Sequence, residues 1–166
     1  MNIEMTDVII RLAVALLLGM ALGIERAIAG KTAGVRTHSL VAMGSALFVI
    51  ISILAVGGHS TEERAFIESV RVVSQIISGI GFLGAGLFMF KDSNAGGMTT
   101  AAGIWVAAGV GVTIGYGFYA VAIMATVFTL IVFTLFWYVE NKVKAFGYHL
   151  HKDGFLHKKT DTETEI

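Results

Sequence analysis

The chain has 166 residues, the length of a single domain, with 55% hydrophobic and 14% charged residues and a formal net charge of zero. Soluble domains run nearer 25% charged, and one of this size has too little interior to hide so much apolar surface, so the missing solvent is a lipid bilayer. Zero net charge provides no general attraction to nucleic acid, and the absence of cysteine excludes disulfides and Cys-based metal sites.

Five apolar stretches follow in order: Val8–Ile24, Leu40–Val56, Val72–Phe90, Thr99–Ile114 and Tyr116–Val139. Their lengths bracket the roughly 20 residues that cross about 30 Å of hydrocarbon as a helix. Spanning strands would be shorter and alternating. The expected fold is therefore all-α: a polytopic membrane protein of about five helices, packed through Gly, Ala and Ser ridges. Residues 1–139 form the membrane domain and 140–166 a short cytoplasmic tail. With no proline in the chain, any helix bend must come from glycine or from an inserted side chain or water.

Span one is preceded by Glu4 and Asp7 rather than by the basic segment of a cleaved signal peptide, so it reads as retained. Arg11 lies near its outer end. The loop that follows carries Arg26, Lys31 and Arg36, and the tail carries Lys142, Lys144, Lys152, Lys158 and Lys159. Basic residues favour the cytoplasmic side. An odd number of spans then puts the N-terminus outside and the tail inside, with loops one and three on the inner face and Trp137 and Tyr138 in the inner aromatic belt. Glu62, Glu63, Arg64 and Glu68 fall in the outer loop between spans two and three. Gly115-Tyr116-Gly117 makes a tight turn between spans four and five.

Gly23–Phe48 is the segment richest in chemistry. A carboxylate near the membrane core is costly unless paired, which makes Glu25 a functional candidate by default. Arg26, Lys31 or Arg36 could pair with it, an arginine in bidentate fashion. Thr37 and His38 follow in the same short loop, where cationic residues would also be expected simply as inside anchors.

Span three contains GIGFLGAG, a literal match to the G-x-G-x-x-G dinucleotide fingerprint at Gly79, Gly81 and Gly84. That motif needs a preceding strand, a polar loop and an acidic residue about 20 positions on. Here the flanks are one continuous apolar segment, and Ala101–Ile104 occupies the place of the acid, so the nucleotide reading fails. Small residues in lipid instead let helix backbones approach. Ser74, Ser78, Gly81 and Ala85 line one face of span three, with Gln75, Gly79 and Gly86 on another. Thr99, Gly103, Ala107, Gly111 and Gly115 recur every four residues in span four. Spans three and four are expected to pack tightly, against each other or across a dimer axis. The alternative use of the glycines is to let span three unwind and expose carbonyls to an ion.

Three blocks carry a resemblance. GIER…K.AGVRTHSLV.MGSALF, RVVSQIISGIGFLGAGLF and GMTTAAGIWVAAGVGVTIGYGFY resemble, in order, the signature blocks of the MgtC/SapB family of membrane proteins. The resemblance implies a multi-pass plasma-membrane protein tied to magnesium homeostasis, to growth or survival at low magnesium and, in pathogens, to life inside host cells. One well-studied type restrains ATP synthase as a membrane regulator. Longer relatives carry a soluble ACT-like C-terminal domain, and this sequence is expected to be a short form without it. The family pattern carries over to Glu25, Arg26, Lys31, Arg36, Thr37, His38, Arg71, Gln75, Thr99 and Thr100. By topology, Asp92 and Asn94 join Glu25 on the inner face.

The leading expectation is a non-enzymatic, homodimeric regulator that contacts the bilayer and other membrane proteins. The alternative is a transporter of Mg²⁺ or another solute, with Glu25 and Asp92 as weak metal candidates near the cytoplasmic face. An enzyme is the least supported class, because His38 beside Ser39 or Thr37 is a sequence neighbourhood without a geometry. In the tail, His149, His151 and His157 could bind a metal, but a solvated tail is the simpler reading.

Overall fold

The computed structural model describes residues 3–56, 62–89 and 96–162. Five helices follow in chain order: α1 (Met5–Ile28), α2 (Val35–Val56), α3 (Glu62–Met89), α4 (Gly96–Gly115) and α5 (Tyr119–Thr162). Each is long and apolar enough to cross a membrane, and the described residues contain no strand. The chain divides into two compact units, Met1–Leu130 and Ile131–Ile166.

The helices outrun the apolar stretches that announce them. Arg36, Thr37 and His38 belong to the first turns of α2 rather than to a loop, and Glu62, Glu63, Arg64 and Glu68 to the start of α3. A helix satisfies its own backbone hydrogen bonds whether lipid or water surrounds it, so it does not stop where apolar residues stop. Without proline, only a capping signal ends it. The tail is likewise helical through Thr162.

The two tight connections of the first unit are closed by the same device. At the end of α1, Lys31 N–H donates to the Arg26 carbonyl at 2.9 Å and Gly30 N–H to that of Ala27 at 3.1 Å. At the end of α4, Phe118 N–H donates to Thr113 at 3.0 Å and Gly117 N–H to Ile114 at 2.8 Å. This paired bonding is the Schellman arrangement. It needs a left-handed residue at its centre, where Gly30 (φ 65°) and Gly117 (φ 85°) sit, a conformation an L side chain resists.

The core of the first unit is an α1–α2–α4 sandwich with α2 in the middle. A Cβ on Gly19 would lie 2.6 Å from the His38 carbonyl oxygen, and one on Gly23 would lie 2.5 Å from the Val35 Cα. From the other side, a Cβ on Gly111 would collide with the Ala42 backbone, and one on Gly115 would meet the Val49 Cβ at 2.7 Å. Ala42, Ala46 and Val49 of α2 are consequently sealed from both sides. Ala15, Ala46, Val110, Ile114 and Ala122 form the buried apolar cluster at the centre. In lipid, close backbone approach of this kind replaces the hydrophobic effect as the force between helices.

α3 packs on α4 and α2, but it is the least buried of the five spans. A Cβ on Gly84 would meet the Ala101 Cβ at 3.5 Å, whereas among the described residues nothing lies within 4 Å of a Cβ on Gly79, Gly81 or Gly86. The close helix contacts therefore fall in α1, α2 and α4, and the glycine-rich face of α3 is open. In the second unit, Trp137 and Tyr138 are exposed, and the Lys142 ammonium lies 5.5 Å from the Tyr138 ring centroid, a cation–π distance.

Candidate functional site: a buried charge pair beside a sealed histidine

The polar cluster is built on the α1–α2 hairpin. The Schellman turn reverses the chain immediately after Arg26, and Gly19 and Gly23 draw the first turns of α2 against the last turns of α1. Glu25, Arg26 and His38 are thereby placed in one small volume. Arg26 Nη2 donates to Glu25 Oε1 at 2.7 Å, and Arg26 Nε donates to Glu25 Oε2. Neighbouring residues on a helix do not normally face each other. The pair forms because the long arginine folds back over its own turn, and the resulting fork is bidentate. Arg26 is 2% exposed, and Glu25 keeps a partial opening.

His38 is completely buried. Its Nδ1–H donates to the Gly34 carbonyl at 3.0 Å, and the same carbonyl accepts the His38 backbone N–H at 3.2 Å. With Nδ1 as donor, a neutral imidazole carries its lone pair on Nε2. That atom is sealed and has no hydrogen-bond partner among the described residues. His38 lies within electrostatic range of both Arg26 and Glu25. An acceptor left unsatisfied costs on the order of 1–3 kcal/mol, so packing alone is a poor reason for a histidine here.

Of the other sequence-derived positions, Lys31 and Thr37 are partly buried and Arg36 is exposed. Thr100 is buried, while Thr99 is exposed. Asp92 and Asn94 lie outside the described residues, as do the side chains of His149, His151 and His157. Gly103, Ala107 and Gly111 are buried in α4, whereas Ser74, Gln75, Ser78, Gly79 and Gly81 are exposed along α3.

Magnesium prefers an octahedral shell of hard oxygen ligands. Both Glu25 oxygens already accept Arg26 hydrogens, so the pair is internally neutralised and is a poor ligand for a dication. Among the described residues, no group of three or more His, Cys, Asp or Glu side chains could hold a metal.

A second buried charge, noticed in the sequence only as an edge residue, locks the opposite end of the bundle. Arg11 Nη1 donates to the Gly115 carbonyl at 2.7 Å, and Nη2 pairs with Asp7 at 2.6 Å. A cation thus caps the negative C-terminal end of α4. The missing side chain of Gly117 makes room for the guanidinium, whose nearest nitrogen would be 3.3 Å from a Cβ there. Tyr116 Oη donates to the Ser69 carbonyl at 3.0 Å and ties α3 to the same turn. The α1 glycines were also missed. Their signal was Ala15, Gly19 and Gly23 at four-residue spacing, the same pattern that marked span four.

Comparison with known proteins places this architecture. The MgtC family model matches residues 12–142. The chain is 40% identical over 144 residues to YhiD of Escherichia coli (strain K12), covering 87% of this chain and 67% of that protein, which is named a candidate magnesium transporter. It is 37% identical over 138 residues to SapB of Bacillus subtilis (strain 168), covering 82% and 60%. It is 45% identical over 121 residues to MgtC of Brucella abortus (strain 2308), covering 73% and 48%. The chain thus spans about two thirds to one half of the length of these relatives, and no solved structure matches it. Three signature blocks, a five-helix membrane bundle and a family match over most of the sequence agree: the chain belongs to the MgtC family.

Proposed function

We propose that the protein is a non-enzymatic regulator of other membrane proteins, acting in magnesium homeostasis and adaptation to low magnesium. The observation that carries this reading is the open face of α3. Ser74, Ser78, Gly81 and Ala85 are exposed along one stripe, and among the described residues nothing lies within 4 Å of a Cβ on Gly81. At Gly19 and Gly23 of α1 and at Gly111 and Gly115 of α4, by contrast, the missing side chain is spent on close helix contact. A small-residue stripe that meets no helix among the described residues of its own chain is suited to a helix of another, whether a second copy in a homodimer or a different membrane protein. By family resemblance, ATP synthase is one such partner. Loop charge supports a plasma-membrane orientation with the N-terminus outside and the tail cytoplasmic.

A second reading has its own observation. Buried Arg26, the carboxylate of Glu25 and the sealed Nε2 of His38 form a charged cluster, and buried ionisable groups often line ion pathways. The name of the E. coli relative points the same way. Proteoliposome Mg²⁺ flux, read with a trapped fluorescent indicator, separates the two. The regulator reading expects no flux above empty vesicles. Flux by the parent protein above that of empty vesicles would replace it with transport.

A further inference from the structure

A cavity of about 820 Å³ lies between α2 and α3. Its lining runs from Leu40 to Ser52 along α2 and from Glu68 to Leu83 along α3. At 1.5 Å per residue the α2 edge from residue 40 to residue 51 is roughly 17 Å long. That is about one leaflet of a bilayer whose hydrocarbon is roughly 30 Å thick. The walls are dominated by apolar side chains such as Phe48. The charged groups gather at one end, where Arg71 Nη1 and Glu68 Oε1 stand 3.5 Å apart, both substantially exposed. The slot is therefore leaflet-deep and greasy, with one cation and one anion at its mouth.

We infer that this slot is a binding site for a phospholipid with a phosphoethanolamine headgroup. An acyl chain lies along the apolar walls, Arg71 takes the phosphate, and Glu68 accepts a hydrogen bond from the primary ammonium. The paired mouth charges select this occupant. An anionic headgroup without an amine would set its charge against the Glu68 carboxylate. A choline headgroup has no N–H to donate to it. Arginine suits phosphate through its planar fork. Gly44 and Gly79 line the slot, and nothing lies within 4 Å of a Cβ at either position, so the lumen there is free for a chain. The slot is separate from the Ser74–Gly81 stripe and from the Glu25–His38 cluster.

The test uses the full chain, reconstituted in vesicles containing equal amounts of phosphatidylethanolamine, phosphatidylglycerol and phosphatidylcholine, then extracted in mild detergent. Lipid retained by the protein is quantified by class with mass spectrometry. The expected result is retention enriched in phosphatidylethanolamine. Glu68→Gln should lower that enrichment over phosphatidylcholine by up to about fivefold, the scale of an exposed ion pair, and Arg71→Gln should lower retention of all three phospholipids. Gly79→Leu, whose Cβ meets nothing within 4 Å among the described residues, projects into the slot and should release the lipid while helicity and melting temperature stay at the parent value. Equal retention of the three classes by the parent protein, or enrichment unchanged in Glu68→Gln, would overturn the assignment.

Discussion

Arg11 and Gly115, 104 positions apart in sequence, are joined by a buried hydrogen bond of 2.7 Å from guanidinium to carbonyl. The bond fastens the first helix to the end of the fourth. The same guanidinium holds Asp7, whose other oxygen lies 3.5 Å from the Tyr119 hydroxyl at the start of α5. One arginine thus organises three helix ends, so Arg11→Ala should cost about 2 kcal/mol, the scale of a charge-assisted hydrogen bond. Thermal unfolding in detergent checks this. A melting temperature equal to that of the parent would show that the lock carries no weight.

Glu25→Gln takes away the carboxylate to which Arg26 donates twice. Breaking a buried pair by removing one partner costs roughly 3–5 kcal/mol. Expression and thermal stability should fall well below those of any single tail substitution, such as Lys158→Ala. Parental stability together with full growth at low magnesium would contradict this.

Two glycines should behave in opposite ways. Gly111→Leu drives a side chain into the Ala42 backbone and should separate α2 from α4, with loss of the folded protein from the membrane fraction. Gly81→Leu enters open space, replaces a poor helix former, and should leave stability equal or higher. If the α3 stripe is a contact surface, that same substitution abolishes low-magnesium complementation. Unfolding of both variants would remove the distinction between the two faces.

His38→Leu tests what the sealed imidazole is for. It deletes the bond to Gly34 together with an unpartnered buried nitrogen. These oppose each other, so stability should move by no more than about 1 kcal/mol. A large loss of complementation at unchanged stability assigns His38 a functional role, whereas a stability change of several kcal/mol makes it a structural residue.

Helix number and membrane character were legible because a long apolar run has one viable solution in lipid. The Glu25–Arg26 pair was legible as one of three possible pairings, since a membrane-edge carboxylate must find a cation. Helix boundaries were not legible, because a charged residue such as Glu68 can sit on a helix as readily as in a loop. The use made of each glycine was also hidden. Gly81 and Gly111 look alike in sequence, yet one is open and the other touches a neighbouring backbone. That difference depends on which helix lies opposite, and spacing within one helix does not encode it. Arg11 was underestimated for the same reason, since its carbonyl partner carries no side-chain signature.

The absence of cysteine from the chain permits the most direct test of the regulatory account. A single Ser78→Cys, on the open stripe of α3, and a single Phe128→Cys, exposed on α5, can each carry a thiol-attached photocrosslinker in native membranes under low magnesium. The account predicts a discrete crosslinked membrane-protein adduct from position 78, lost in the Gly81→Leu background, and none from position 128. Crosslinking to lipid alone from both positions would contradict it.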